Sequence, residues 1–149
     1  MSTVAGHMEE ERFVVFRLAG EDYAIPIAGV HTVEKIMPIT RVPHAPQFVD
    51  GVINLRGEVV PVINLRRRLG LPEATDCVDA HIVVALAGEQ LVGLIVDEIS
   101  HVLSLPQMAI QPANQVIGES NRNFLLGVGK WENGLIIVLD LERVVDPER

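Results

Sequence analysis

Short apolar runs separated by turn residues recur along the whole chain. Phe13 to Leu18 and Tyr23 to Ile27 flank the turn Ala19-Gly-Glu-Asp22. Val52 to Leu55 and Val59 to Ile63 flank the turn Arg56-Gly57 in the same way. Apolar runs of strand length on both sides of a glycine-containing turn are typical of β-hairpins. The pattern therefore predicts a chain built mainly of short antiparallel strands.

The second half of the chain repeats this arrangement. Its apolar runs are Ile82 to Leu86, Leu91 to Val96, Ile99 to Leu103, Leu125 to Trp131 and Leu135 to Leu139. Asn133-Gly134 separates the last two and predicts a type I′ turn, because that turn needs positive φ at both central residues. The runs are continuously apolar instead of alternating, so we expect both faces of these strands to be covered.

Helix is predicted only in short pieces. Asn64 is placed as an N-cap for Leu65 to Leu69, with Gly70 as the C-terminal stop, and Asp140 is placed as the cap of Leu141 to Val145. Gln47 to Asp50 could add one helical turn. The Pro-rich connection from Pro38 to Pro46 disfavours helix.

The order of these elements indicates an internal duplication. Gly51 to Leu65 aligns without a gap with Gly127 to Leu141, and Leu18-Ala-Gly-Glu21 recurs as Leu86-Ala-Gly-Glu89. The first offset is 76 residues and the second is 68, so an insertion must lie between the matched pairs; the stretch from Ser104 to Asn123 can supply it. Two copies of one β-rich unit follow from this repetition.

Composition narrows the possible functions. The chain has 149 residues and a formal net charge of -8, which repels nucleic acid backbones, and its few aromatic residues cannot form a base-stacking platform. Its longest apolar run, Ile82 to Gly88, has strand length and is far short of a membrane span. The N-terminus lacks the charged, apolar and small-residue pattern of a signal peptide, and the single Cys77 cannot form an internal disulfide, so we expect a cytoplasmic location.

An enzyme hypothesis would start from Cys77, Asp79 and His81, but no glycine-rich oxyanion or phosphate loop accompanies them. Asp97-Glu98 could form a catalytic pair, yet neighbours on a strand point to opposite faces, which favours a structural or interface role. The remaining histidines lack metal-ligand spacing. We therefore expect no catalytic residue, cofactor or metal.

The hairpin block Gly51-Val-Ile-Asn-Leu-Arg-Gly-Glu-Val-Val-Pro-Val-Ile-Asn-Leu-Arg66 resembles the CheW family of bacterial chemotaxis adaptors. The resemblance runs from Phe13 to Val145 and includes Tyr23-Ala-Ile-Pro-Ile27, Arg41-Val-Pro43, Val92-Gly-Leu-Ile-Val-Asp97, Val102-Leu-Ser-Leu105 and Leu139-Asp-Leu141. It implies a mostly β fold of two intertwined, five-stranded, SH3-like barrels. It also implies a single CheW-like domain at 13–145, with halves at about 13–71 and 80–145 that can exchange strands, a flexible N-terminus at 1–12 and a tail at 146–149.

What the resemblance implies about function is a non-catalytic adaptor. The family couples the cytoplasmic tips of methyl-accepting chemoreceptors to the regulatory domain of the histidine kinase CheA, in arrays at the inner membrane. No direct membrane insertion is expected. An alternative within the same class is an adaptor of a non-flagellar pathway such as twitching motility.

The resemblance also places the partner interface. The arginine of Asn-Leu-Arg-Gly contacts receptor or kinase in the family, which marks Asn54, Leu55, Arg56 and Gly57. A Val-x-Glu-Ile pattern that touches the receptor corresponds to Val30-His-Thr-Val33, so that Val30, Thr32 and Val33 belong to the same candidate site and Thr32 replaces the usual glutamate. Glu34, two residues on, could serve a changed partner.

Some of these features have simpler interpretations. Arg56 could be a solvated turn residue. Arg66-Arg-Arg68 could mark an acidic partner surface or form a solvated face that favours a helix C-terminus. Pro61 indicates a strand edge or a bulge, because proline cannot donate a ladder hydrogen bond.

Overall fold

The computed structural model describes residues 10–73, 78–112 and 124–146. Eleven strands account for most of these residues, and they are numbered here in chain order. They are β1 (Glu10–Leu18), β2 (Glu21–Pro26), β3 (Val30–Lys35), β4 (Val49–Leu55), β5 (Glu58–Asn64), β6 (His81–Ala87), β7 (Gln90–Val96), β8 (Glu98–Pro106), β9 (Ile110–Pro112), β10 (Leu125–Trp131) and β11 (Gly134–Leu139). The helices are α1 (Leu65–Arg68) and α2 (Leu141–Val145), and 3-10 turns occupy Ile27–Gly29 and Gln107–Ala109.

The strands form two sheets that exchange pieces of the two halves. One sheet has the order β8-β1-β2-β11-β10-β9, and the other has the order β3-β6-β7-β5-β4. The β1–β2 hairpin therefore lies in a sheet whose other strands all come from the second half. The β6–β7 hairpin lies among strands of the first half in the same way, so the expected pair of intertwined SH3-like barrels is confirmed.

The pairing shows that the two halves are equivalent. β2 pairs in parallel with β11, and β7 pairs in parallel with β5. β1 pairs with β8 as β6 pairs with β3. Both hairpins of the aligned block carry a register shift at the same place, between Val49 and Gly51 and between Leu125 and Gly127. An internal two-fold relation thus links β1–β5 and α1 to β6–β8, β10, β11 and α2.

Three apolar clusters stabilise the fold. A central cluster draws on both halves, and its largest side chains include Phe16, Leu18, Ile25, Leu65 and Leu139. One smaller cluster fills the six-stranded sheet, and another fills the five-stranded sheet. Because the central cluster is built from both halves, neither half can bury its apolar surface alone.

In each barrel, a short segment of chain pairs with the strand that follows it, which is β4 in the first half and β10 in the second. Thr40 and Val52 exchange two backbone hydrogen bonds of 2.8 Å, which join the connection after β3 to β4. A Cβ atom at Gly51 would lie 2.1 Å from the carbonyl oxygen of Thr40, and Gly51 has a φ of +149°. Glycine is required there both for the close approach and for the backbone conformation. In the second half the three-residue strand β9 makes the corresponding contact with β10.

Several predicted elements are corrected by the structure. Residues 10–12 belong to β1 and pair with β8, so they are not part of a flexible terminus. Val49 already starts β4, so Gln47 to Asp50 is not a helical turn. The β9 strand was not predicted, and it gives one sheet a sixth strand.

Two further expectations, one for a turn and one for a proline in a strand, differ from the structure. The last hairpin turns at Glu132 and Asn133, because Trp131 pairs with Gly134, and of these four residues only Glu132 has positive φ. Pro61 lies on an inner strand, not an edge: its partner Val52 directs its backbone hydrogen bonds to Thr40. Pairing of β5 with β7 starts only at Val62, so no ladder bond is lost at the proline.

Within the described residues, no helix is long and apolar enough to cross a membrane.

Candidate interaction surface

The β4–β5 hairpin presents Arg56 at the surface. Arg56 and Gly57 are the two central residues of the turn, with φ values of 52° and 93°, and the N–H of Gly57 donates a 2.8 Å hydrogen bond to Oδ1 of Asn54. This two-residue turn with positive φ matches the twist of the strands and keeps the hairpin tip in one conformation. The Arg56 side chain is 73% exposed. The hairpin therefore holds a guanidinium out in solvent on a short, ordered loop.

Glu34 on β3 braces that arginine. Its Oε2 atom lies 3.6 Å from Nη1 of Arg56 and accepts a 3.0 Å hydrogen bond from Oγ1 of Thr32. β3 and β4 are the two outer strands of the five-stranded sheet, so these contacts exist only because the sheet curls until its edges meet. The Glu34 side chain is 18% exposed, whereas Arg56 is mostly solvated. An ion pair this open contributes about 0–1 kcal/mol, so a partner carboxylate can compete for the arginine.

The residues predicted on β3 fall on two faces. Thr32 and Glu34 pair with Val84 and Ile82, which line the interior of the five-stranded sheet. Val30 and Val33 pair with Ala85 and Val83, which belong to the central cluster. Thr32 and Val33 lie on opposite faces because neighbours alternate along a strand, and the bulge between Val30 and Thr32 places Val30 on the same face as Val33. The structure therefore brings Thr32, but not Val30 or Val33, onto the face that meets Arg56.

The predicted residues also differ in accessibility. Val33 is 40% exposed, whereas Val30 packs against the central cluster. Leu55 is 6% exposed and fills the core of the five-stranded sheet. Leu55 thus anchors the hairpin to the core of the five-stranded sheet. We call Thr32, Glu34, Asn54, Arg56 and Gly57 the hairpin-tip surface.

Sequence reasoning noted Glu34 without assigning it to this surface. The available signal was its spacing, because residues two apart on a strand share a face. Thr32 and Glu34 meet that condition. The sequence could not show that the face is turned toward the β4–β5 hairpin.

The arginine run after Asn64 is engaged within the molecule. Nε of Arg66 donates to Asp97 at 3.0 Å, and Arg67 pairs with Asp50 and Glu73. The hydrogen bond to Glu73 is the main cause that raises the pKa of Arg67 above its ordinary value. These contacts favour a structural role for the run over an acidic partner surface.

Arg68 joins the two halves. Its guanidinium carbon lies 3.9 Å from the ring centre of Phe48 and 4.5 Å from that of Phe124, which is the counterpart of Phe48. Its Nε donates a 2.7 Å hydrogen bond to the carbonyl of Val144, at the end of α2, and the group also contacts the carbonyl of Asp146. Burial lowers the pKa of Arg68 from its ordinary value. One side chain thus stacks between equivalent rings and caps the opposite helix.

Among the described residues, the other candidate groups do not assemble into a catalytic site. Asp97 accepts from Arg66 and from the N–H of Ala19, as a structural role requires. Nδ1 of His81 lies 2.7 Å from the carbonyl of Asp79, and Cys77 lies outside the described residues. Among the residues described, no cluster of three or more His, Cys, Asp or Glu is suited to a metal ion.

Interleaved barrels with an exposed, braced arginine on a short hairpin define an interaction module. Comparisons with known proteins identify its kind. A family model described as CheW-like domain matches residues 12–149. The chain is 33% identical over 150 residues to the chemotaxis protein CheW of Rhizobium meliloti, covering 99% of this chain and 97% of that protein. It is 36% identical over 138 residues to the chemotaxis protein CheW of Bacillus subtilis, covering 93% and 88%.

A solved structure agrees with these sequences. The crystal structure of the scaffolding protein TtCheW from Thermoanaerobacter tengcongensis matches with a TM-score of 0.86 at 34% identity, over 93% of this chain and 94% of that chain. The chain belongs to the CheW family. It is accordingly a non-catalytic scaffold protein of chemotaxis signalling.

Proposed function

We propose that this protein couples the cytoplasmic tips of methyl-accepting chemoreceptors to the regulatory domain of the histidine kinase CheA, in arrays at the inner membrane. The observation that carries the proposal is the position of Arg56, which is 73% exposed on an ordered turn and braced by Glu34. A guanidinium held in this way can form a charge-assisted, bidentate hydrogen bond with a partner carboxylate. The two barrels supply the second requirement of an adaptor, which is two separate surfaces on one rigid body.

The duplicated architecture supports assembly as well as binding. Two related barrels offer similar surfaces in two orientations, and a kinase domain of similar fold can dock one half against the opposite half. Head-to-tail contacts of this kind close into rings when the rotation permits. Several weak contacts then add through effective concentration, which makes an array cooperative.

Co-sedimentation with receptor-bearing membranes and kinase tests the proposal. The protein should restore receptor-stimulated phosphorylation in proportion to its amount, as a scaffold does and a trace catalyst does not. Arg56→Ala should weaken retention about tenfold or more, the loss typical of an interface arginine hot spot. Arg17→Ala is the matched control, because Arg17 is also exposed and also pairs with a carboxylate, at 3.4 Å from Asp22. Equal retention of wild type and Arg56→Ala would show that the hairpin-tip surface is misplaced.

Thr32 keeps the class of receptor open, since the family has glutamate there. Thr32→Glu would place a second carboxylate beside Glu34, facing Arg56. We expect this variant to gain affinity for flagellar receptors if the natural partner is of another class. Binding of wild type and variant to flagellar and pilus receptors decides between the two pathways.

A further inference from the structure

An open groove of about 240 Å³ lies between the end of β2 and helix α2. Two of the leucines in its wall, Leu86 and Leu126, are 45% and 50% exposed. Its lining includes Ile25, Pro26, Leu86, Leu126, Leu139 and Glu142. Among the described residues, none forms a hydrogen bond or an ion pair with the Glu142 carboxylate. The groove thus combines exposed apolar walls with a negative rim.

The internal two-fold relation assigns this groove a counterpart beside helix α1. Leu86 corresponds to Leu18 in the repeated Leu-Ala-Gly-Glu segment. Gly29 and Asp97 correspond because each immediately precedes an equivalent strand, β3 or β8.

The helices and bulges give two further correspondences. Glu142 is the second residue of α2, as Arg66 is of α1. Leu126 occupies the bulge of β10, as Asp50 occupies that of β4.

At the equivalent position, beside α1, the cleft is sealed by Arg66. Both the Nε and a terminal nitrogen of Arg66 donate to the Asp97 carboxylate, with Nε at 3.0 Å. The N–H of Ala19 donates to the same carboxylate at 2.9 Å, and Nη1 of Arg66 donates to the Pro72 carbonyl at 2.7 Å. A guanidinium therefore fits this cleft sterically and is held there by a carboxylate.

The groove beside α2 lacks both members of that pair. Glutamate replaces the arginine, glycine replaces the aspartate, and leucine replaces Asp50 at the bulge. What remains is a cleft of the same origin with the Glu142 carboxylate at its rim, whereas its other carboxylate, Asp140, already pairs with Arg143 at 3.6 Å. An occupant that supplies a cation and an apolar side chain would satisfy both features.

We propose that this groove binds a segment of a partner protein that inserts an arginine beside an apolar side chain. The arginine pairs with Glu142, and the apolar side chain covers Leu86 and Leu126. The net charge of -8 favours the approach of such a basic segment. The identity of the partner rests on the proposed function: it is one of the two signalling proteins that the chain couples.

Copying the sealed state found beside α1 into the groove tests the proposal. The double variant Gly29→Asp with Glu142→Arg would copy the Asp97–Arg66 pair into the groove. A Cβ atom at Gly29 meets only the Leu86 carbonyl oxygen, at 3.9 Å, which is an ordinary contact, so the variant should fold. Its unfolding transition, followed by the fluorescence of the single Trp131, checks that it does.

The binding probe is the capped tripeptide Leu-Arg-Leu, titrated into labelled protein and followed by NMR. We expect amide shifts at Leu86, Leu126 and Glu142 in the wild type. Glu142→Gln should weaken binding about tenfold, as loss of a charge pair with a guanidinium implies. The double variant should abolish the shifts. Equal shifts from the capped Leu-Glu-Leu peptide, or shifts that persist in the folded double variant, would contradict the proposal that the groove binds an arginine-containing segment.

The same variants keep this inference separate from the proposed function. If wild type fails to co-sediment with receptor and kinase but still binds Leu-Arg-Leu at the groove, the proposed function fails and the groove stands. If wild type co-sediments and the double variant is retained equally by both partners, the groove is not their binding site. Loss of retention with one partner only, in the folded double variant, assigns that partner to the groove.

Discussion

The two copies of the hairpin and helix unit, residues 51–69 and 127–145, share their backbone devices but differ in their side-chain contacts. Both have a bulge at the start, a two-residue turn, and a polar cap before a short helix. In the first copy, the helix is held to the rest of the molecule by contacts of Arg66, Arg67 and Arg68. The second copy has Glu142, Arg143 and Val144 at those positions. The duplication thus fixed the backbone, and the side chains gave each half different contacts.

Arg68 shows why the copies must differ at one position. Its guanidinium lies between Phe48 and Phe124, which are equivalent residues, and therefore lies close to the internal two-fold axis. Only one side chain can occupy a position on such an axis. Val144, the counterpart of Arg68, is buried and lends its carbonyl to the arginine instead.

The largest expected difference between the copies concerns the two glycines at the bulges. A Cβ atom at Gly51 would lie 2.1 Å from the Thr40 carbonyl oxygen at a φ of +149°, whereas at Gly127 it would lie 2.6 Å from that of Gln111. We expect Gly51→Ala to cost roughly 3–5 kcal/mol of unfolding free energy, from backbone strain and overpacking together. Gly127→Ala should cost about 2 kcal/mol, from overpacking alone.

Urea unfolding followed by Trp131 fluorescence measures both variants. Equal losses of unfolding free energy would show that the segment at Thr40 packs no more tightly on β4 than β9 packs on β10.

An intermediate effect is expected at the arginine that joins the halves. Arg68→Lys should lower the unfolding free energy by about 2 kcal/mol, because lysine lacks the planar fork that stacks on the rings and donates to several carbonyls. Arg67→Lys is the control one residue away, and with its exposed ion pairs it should change stability by less than about 0.5 kcal/mol. Thermal unfolding of both variants gives the comparison. If the two variants lose the same stability, Arg68 does not hold the halves together.

The smallest effects concern the helix caps. Asn64 and Asp140 each accept a hydrogen bond from a backbone N–H of the first turn, so substitution of either by alanine should cost about 1 kcal/mol. Exchanging asparagine and aspartate at the two cap positions distinguishes the surroundings of the two caps. Asp140→Asn should be nearly neutral, whereas Asn64→Asp should lose about 1 kcal/mol, because it loses the donor to Asp50 at 3.4 Å and adds a like charge.

Chemical denaturation of the four cap variants measures these differences. A loss on Asp140→Asn as large as that on Asn64→Asp would mean that the two caps have the same surroundings.

What could be predicted from the sequence was mostly local. The caps Asn64 and Asp140 and the turn Arg56-Gly57 depend on residues within a few positions of one another, and the structure has them as expected. The turn predicted at Asn133-Gly134 was one residue off. Its register is set by packing, which places Gly129 rather than Trp131 opposite the buried Ile136.

The remaining features depend on contacts that are distant in sequence. β9 is only three residues long and exists because β10 offers it an edge. Alternation along a strand predicts that Thr32 and Val33 lie on opposite faces, but no residue pattern indicates the bulge that places Val30 on the same face as Val33. The contact of Glu34 with Arg56 needs the sheet to curl first, so the resemblance could name the arginine but not what braces it.

The exchange of strands has a consequence for biosynthesis. The β1–β2 hairpin leaves the ribosome well before its neighbours in the sheet, β8 and β11, which span Glu98–Pro106 and Gly134–Leu139. Phe13, Val15 and Phe16, which are at most 1% exposed in the finished fold, must therefore remain uncovered until β8 and β11 have been translated. Native assembly must follow the synthesis of β11, and in the interval the nascent hairpin is a target for chaperones and for the same strands of a neighbouring copy.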